Sequence, residues 1–307
     1  MTFALIRSAG LAVAASASLC LAQGRLIAVD SSRALYQIDI ATGVKTAIGT
    51  VSVNASTTAG LAYNPTTQTI YLTSTGNDSL YTLDLATGTA TLVGAYGDPA
   101  VIMHGLEWDD STGTLYGCSS HNNGLYTIST ATGAATLIGT SGLTSFSNLG
   151  HDSIANVMYS TNSGADSFYR MDRATGATTL IGALTGPTNP NGLAFNKDDG
   201  RLYLVCNNTD SLYTIDTASG LATLIGAHGP SNLLGLVYLP APVTPACYAN
   251  CDGSTTPPVL NINDFICFTN LFAANDPLAN CDGSTTPPTL NVNDFTCFLN
   301  AFAVGCT

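Results

Sequence analysis

From residue 25 to residue 240 apolar and polar positions alternate at period two, in short runs separated by turn residues. One full set reads GLAYN (60–64), TIYLTS (69–74), SLYTLDL (79–85) and TATLVGA (89–95). Alternation of this kind predicts half-buried strands, four to a set. The third and fourth strands of the set return along the chain. They read LYQIDIATGVKTAIGT from Leu35, LYTLDLATGTATLVGA from Leu80, LYTISTATGAATLIGT from Leu125, FYRMDRATGATTLIGA from Phe168 and LYTIDTASGLATLIGA from Leu212. Their turn glycines Gly43, Gly88, Gly133, Gly176 and Gly220 are 45, 45, 43 and 44 residues apart. A four-stranded unit repeated at this period predicts propeller blades.

The Ala-Thr-Gly or Ala-Ser-Gly break places each glycine at a left-handed turn position. Asp39, Asp84, Asp172 and Asp216 stand two residues before the Ala, and Ser129 replaces them once. A short acceptor there can satisfy the turn amides. The first repeat begins at RLIAVD (25–30) and lacks an opening strand. The missing strand reads LGLVYLP (234–240), after the fifth repeat. A ring accounts for this, because the last strand completes the first blade and no edge is left open. The sequence thus predicts a mainly β fold: a five-bladed β-propeller over 23–239, closed by its N- and C-terminal strands. A small α-helical module is expected to follow.

Composition narrows the setting. The chain has 307 residues, 45% of them hydrophobic and only 9% charged, with a net charge of -12. Such a surface repels phosphate backbones and argues against nucleic acid. Residues 1–22 read as a secretory signal peptide: Arg7, an apolar run over 9–19, and cleavage after Ala22. No later stretch is long and apolar enough for a membrane span. A secreted or cell-surface location is expected, and nine cysteines fit an oxidising compartment. Six of them, Cys247, Cys251, Cys267, Cys281, Cys297 and Cys306, crowd the last 61 residues. A Pro-rich linker, PAPVTPA (240–246), sets off this segment, 247–307, as a separate domain.

The C-terminal segment repeats internally at a spacing of 30: CDGSTTPPVLNINDFICFTNLFA (251–273) and CDGSTTPPTLNVNDFTCFLNAFA (281–303). Asn250, Asp252, Ser254, Asn261 and Asp264 have twins in Asn280, Asp282, Ser284, Asn291 and Asp294. Oxygen side chains at alternate positions, then a carboxylate opening an apolar helix, suit Ca²⁺, a hard cation that takes six to eight oxygens. Phe265, Phe268, Leu271 and Phe272 fall on one helical face, and Phe295, Phe298, Leu299 and Phe302 nearly repeat it.

On these residues, and on Leu-Asn-x-Asn-Asp-Phe at 260–265 and 290–295, the segment resembles a duplicated type I dockerin module. The likeness is to the cysteine-rich form carried by secreted planctomycete-type proteins. It implies two structural Ca²⁺ ions on the ten residues named above, and docking to a cohesin-like or cell-surface partner. The sequence departs from the family in two ways. About three extra residues, the Thr-Pro-Pro stretch, lengthen each loop, and the mid-loop glycine is absent. The positions that often read the cohesin are Ile262/Asn263 and Val292/Asn293 rather than a Ser/Thr pair. A disulfide-stapled module without metal is the alternative. Six cysteines allow fifteen pairings. Repeat symmetry suggests Cys251–Cys267 and Cys281–Cys297, with Cys247 and Cys306 clasping the ends. Zinc fits less well, because the thiols do not come in close pairs.

In the propeller, a ligand is expected at a channel mouth, near the start of the inner strands. Ala59, His104, Ser147, Asn191 and Leu234 precede those strands. His104, Glu107, Ser147 and Asn191 are the candidate ligand-binding residues, possible partners for a glycan. His104 with Glu107, Asp109 or Asp110 would be capable of general acid–base work; otherwise His104 caps a strand and the acids are solvated. His151 takes the place of Tyr63, Trp108, Phe195 and Tyr238 in other repeats and reads as a packing substitution. There is no Gly-rich phosphate loop, GxSxG elbow or HExxH. At blade level the repeats resemble secreted YVTN, NHL and quinoprotein-like propellers, which include binders, scaffolds and a few lyases or hydrolases. Glu107 is the only glutamate, which leaves few paired acids for catalysis. The sequence favours a non-catalytic binding or scaffold protein over two rivals, a polysaccharide-degrading propeller enzyme and a structural surface-layer component.

Overall fold

The computed structural model describes residues 24–146, 148–240, 248–254, 258–284 and 287–305. The expected signal peptide, Ser147, most of the linker, Cys247 and Cys306 lie outside them. The strands run in chain order as β1 (Arg25–Asp30), β2 (Ala34–Ile38) and β3 (Lys45–Thr50). Next come β4 (Thr58–Asn64), β5 (Thr69–Ser74), β6 (Ser79–Leu83) and β7 (Ala90–Ala95). The third set is β8 (Met103–Asp109), β9 (Thr114–Ser119), β10 (Gly124–Ile128) and β11 (Ala135–Thr140). The fourth is β12 (Gly150–Asp152), β13 (Val157–Asn162), β14 (Ser167–Met171) and β15 (Thr178–Ala183). The fifth is β16 (Pro190–Asn196), β17 (Arg201–Cys206), β18 (Ser211–Ile215) and β19 (Ala222–Ala227), followed by β20 (Leu233–Leu239).

These strands form five four-stranded antiparallel sheets. Four are consecutive meanders. The remaining one is β20-β1-β2-β3, so the last strand completes the first blade as the sequence predicts. Arg25 lies opposite Leu239 and Ile27 opposite Val237 in that closure. The inner strands β20, β4, β8, β12 and β16 touch in turn and return to β20, a closed five-bladed propeller. Closing the ring buries both faces of β1: Leu26, Ile27, Ala28 and Val29 have no exposed surface.

Two features of the repeat hold the blades in place. Asp39, Asp84, Asp172 and Asp216 each accept the backbone N–H two residues on, at 2.8 to 2.9 Å, and Ser129 accepts from Thr132 at 3.2 Å. The turn glycines keep positive φ, from 72° to 79°. They have a second duty that the local pattern does not reveal. A Cβ on Gly133 would strike the backbone of Gly94 in the neighbouring blade, and the same holds between Gly43 and Gly226 and between Gly176 and Gly139. The Gly of the turn and the Gly of the outer strand thus let successive blades meet backbone to backbone.

Beyond the propeller lie two helices, α1 (Ile262–Ala273) and α2 (Val292–Val304). Each opens on a capping box: Asn261 with Asp264, and Asn291 with Asp294. Phe268 and Phe298 are buried and stack with centroids 4.3 Å apart and planes 10° from parallel. Cys251 is bonded to Cys267 and Cys281 to Cys297, as repeat symmetry suggested. Among the described residues no helix is long and apolar enough to cross a membrane.

Candidate functional site

The propeller has two mouths, and the structure divides the sequence-derived candidates between them. At one, a cavity of about 300 Å³ is lined by His104, Ser120, Asn123, Ser145, Ser163, Asn191 and Leu234. His104 Nδ1 lies 2.5 Å from Ser120 Oγ, and burial pushes the imidazole below its ordinary pKa. Asn191 is buried; its amide donates to the Asn189 carbonyl at 2.8 Å, and its own carbonyl accepts from Asn148. This mouth is therefore neutral, and built of hydroxyls and amides.

Glu107 is not there. It lines a cavity at the other end of the inner strands. The reason is the rise of a strand, roughly 3.3 Å per residue, which sets positions three apart on β8 about 10 Å from each other. The expected pairing of His104 with Glu107, and with it the simplest acid–base reading, finds no support in this geometry. Burial pushes the Glu107 carboxyl well above its ordinary pKa. Around it stand Tyr63, Trp108, His151, Phe195 and Tyr238, with Asp110 and Lys197 at the edge.

Asp109 and His151 differ from their sequence readings. Asp109 is fully buried rather than solvated. It accepts from Ser111 Oγ at 2.6 Å, pairs with Arg173, and lies 3.6 Å from His151 Nε2. Burial pushes its carboxyl up, but Ser111, His151 and Arg173 outweigh that and hold it below the ordinary value. His151 is thus part of a polar latch between the third and fourth blades, as well as a packing residue. The sequence carried one signal of this. Arg173 occupies the repeat position held by Ile40, Leu85, Thr130 and Thr217 elsewhere, and an unpaired charge there called for a partner.

In the C-terminal module each loop folds back on the first turn of its helix. Asp264 is buried; its Oδ1 accepts from Asp252 N at 3.2 Å and its Oδ2 from Asn261 N at 2.8 Å. Asp294 repeats this with Asp282 and Asn291 at 3.2 and 2.8 Å. The Asp252 and Asp282 carboxyls are held below their ordinary pKa, chiefly by the Ser254 and Ser284 N–H groups, with the Asp264 and Asp294 side chains also in reach. Ser254 and Ser284 turn their hydroxyls to backbone carbonyls of Val259 and Thr289. Asn261 and Asn291 serve as helix N-caps. Asn250 Oδ1 is buried and has no partner among the described residues.

These donors fit Ca²⁺ in kind: all are oxygens, and one buried acceptor is unsatisfied. Charge also fits. The segment 247–307 holds five aspartates and no Lys, Arg or His, so no side chain within it neutralises buried Asp264 and Asp294. Each loop brings only two carboxylates, and no cluster of three or more His, Cys, Asp or Glu occurs among the described residues.

No protein-family profile and no curated protein sequence matches the chain. Among solved structures, a chain of a nidogen/laminin complex superposes with TM-score 0.52 at 14% identity, covering 71% of this chain and 99% of that one. A symmetrical protein studied for its de novo evolutionary emergence gives 0.49 at 21%, over 71% and 99% of the two chains. A catalytically inactive virginiamycin B lyase from Staphylococcus aureus, with quinupristin, gives 0.45 at 16%, over 71% and 75%. At these identities the likeness is one of fold alone.

Proposed function

We propose that the protein is a secreted, non-catalytic binding protein. The propeller binds a protein or glycan. Residues 247–307, a dockerin-like module, attach it to a cohesin-like or cell-surface partner in a Ca²⁺-dependent way. The observation that carries this reading is the twinned loop: two aspartates brought together beside amide and hydroxyl oxygens, in a module without a basic side chain. Asp252, Asp264 and Asn250 would hold one ion, and Asp282, Asp294 and Asn280 the other. Ser254, Asn261, Ser284 and Asn291 already serve as loop and helix hydrogen bonders. A bound cation would neutralise the buried carboxylates and tie each loop to its helix.

Ile262 and Val292 support the docking half of the proposal. They open the two helices at equivalent positions and are 68% and 73% exposed, so each repeat offers an apolar side chain to a partner. The fold likeness to a chain of a nidogen/laminin complex is in keeping with a binding role. The separation of His104 from Glu107 removes that pair as an acid–base centre for the hydrolase or lyase alternative.

The test is calorimetric titration of Ca²⁺ into the full, oxidised, chelator-treated chain. Uptake of two ions with a gain in helicity is expected. Asp264→Ala with Asp294→Ala abolishes the heat and leaves the propeller's melting transition in place. No heat of binding in the parent chain would remove calcium from the reading and leave a disulfide-held appendage.

A further inference from the structure

The cavity around Glu107 is built by all five blades from one register position. Tyr63, Trp108, His151, Phe195 and Tyr238 lie opposite Ile70, Leu115, Met158, Leu202 and Leu26 in their sheets. All five line the same opening. The position just before them holds Ala62, Gly150, Ala194 and Val237 in four blades and Glu107 in the other. Blade closure therefore does not need an acid here. A carboxyl set where the repeat uses a small apolar residue costs desolvation, and the backbone N–H groups of Trp108, at 3.2 Å, and of His151 offset only part of that cost. Rings are left open in the same place. Tyr63, Trp108 and Phe195 are half-buried there, while Tyr238 and His151 at the same position are buried.

The chemistry of the opening selects its ligand. Aromatic faces accept a flat apolar surface. A few convergent polar groups then fix its orientation. Here these are Glu107 inside and Lys197 and Asp110 at the exposed rim. Lys197 and Asp110 are opposite in sign, so the mouth favours neither an anion nor a cation. The cavity offers about 60 Å³, room for about four to six waters at 10–15 Å³ each. That is too little to enclose a sugar ring, so a ligand would rest one face against the aromatic side chains at the opening.

We propose that this mouth binds a single neutral sugar ring, its C–H face on the aromatic side chains and its hydroxyls on Glu107 and Lys197. The proposal rests on the reading of the propeller as the ligand-binding part. It is independent of calcium and of docking by the C-terminal module.

Trp108 is the only tryptophan in the chain, so intrinsic fluorescence reports this mouth directly. The experiment titrates the full chain with glucose, galactose, mannose, xylose and N-acetylglucosamine to about 100 mM, reading Trp108 emission and calorimetric heat in parallel. At least one sugar is expected to give a saturable response in both. Glu107→Ala and Lys197→Ala are each expected to weaken it about tenfold, the loss of one hydrogen bond to a buried or charged group. Both variants should fold, since Ala62 and Ala194 occupy the position of Glu107 in other blades and Lys197 is exposed. Absence of heat and of emission change across all five sugars overturns the proposal. So does a response that both variants leave undiminished, or one given only by the apolar probe 8-anilinonaphthalene-1-sulfonate. Failure of the calcium titration would leave these outcomes untouched, so the two readings fail separately.

Discussion

The propeller and the C-terminal module both arise by repetition, but they reach stability by different routes. Around the propeller each blade packs on two neighbours, and the last strand shuts the circle. Its core is large and distributed, and its cysteines Cys118 and Cys206 remain free and buried. Among the described residues the module's core cluster is Phe268, Ala279 and Phe298, with partly covered rings around it. Small units bury too little apolar surface to stand on that alone, so they add staples. Two disulfides supply them here, each closing a sequence separation of 16. Repetition thus replaces cross-links where the units can close on themselves, and needs them where only two units face each other.

The comparison breaks most sharply at the disulfides. Replacing Cys251, Cys267, Cys281 and Cys297 by Ser should cost the module about 3 kcal/mol for each bond, enough to unfold it. Far-UV circular dichroism should lose its helical signal while the Trp108 melting curve, which reports only the propeller, stays in place. A common loss of both would show that the two parts do not stand independently. Phe298→Ala should act in the same sense at about 3–5 kcal/mol, because it removes one face of the Phe268 stack.

The propeller has its own weak points. Gly133→Ala meets the Gly94 backbone from a left-handed conformation, and should cost about 2–3 kcal/mol. The Trp108 melting point should fall by about 6 °C, with module helicity unchanged. Arg173→Ala strands the buried Asp109 carboxylate beside His151. Because Arg173 is itself partly exposed, the loss should be about 2 kcal/mol rather than the larger figure for a fully buried pair. A neutral result in a chemical-denaturation curve would show that Ser111 and His151 suffice.

The smallest effect is also the most specific. Burial raises the Glu107 pKa, so the folded state holds the proton more tightly than the unfolded chain. The stability of the neutral form is complete below the ordinary glutamate range and drains away as pH rises through the raised value. Glu107→Gln should therefore leave the melting point unchanged at about pH 4 and raise it at about pH 8. Equal melting curves at both values would mean that solvent reaches the carboxyl and that its burial costs nothing.

Much of this was legible along the chain, for identifiable reasons. Strand alternation, the turn Asp and the left-handed glycine are local, so LYTLDLATGTATLVGA reports them wherever it recurs. The orphan strand at 234–240 announced ring closure because a missing first strand and an extra last one have one simple remedy. Twin repeats made Cys251–Cys267 and Cys281–Cys297 the symmetrical choice. The candidate site was less legible. His104 and Glu107 are close in sequence, and only the run of β8 from one mouth to the other separates them. His151 read as a substitution for a ring; that it also meets Asp109 and Arg173 depends on which blades are neighbours.

The amino-acid sequence by itself determined the units: four strands per blade, five blades, two loop-and-helix repeats, and the turns that separate them. These follow from period, chirality and short-range hydrogen bonding, which act over a few residues. Only the tertiary structure decided how the units meet. It set Gly133 against Gly94, gathered one ring from each of four blades and an imidazole from the fifth around Glu107, and gave Asp109 its cation. Those contacts join residues dozens of positions apart. They depend on the order and closeness of whole sheets, and no local pattern encodes that.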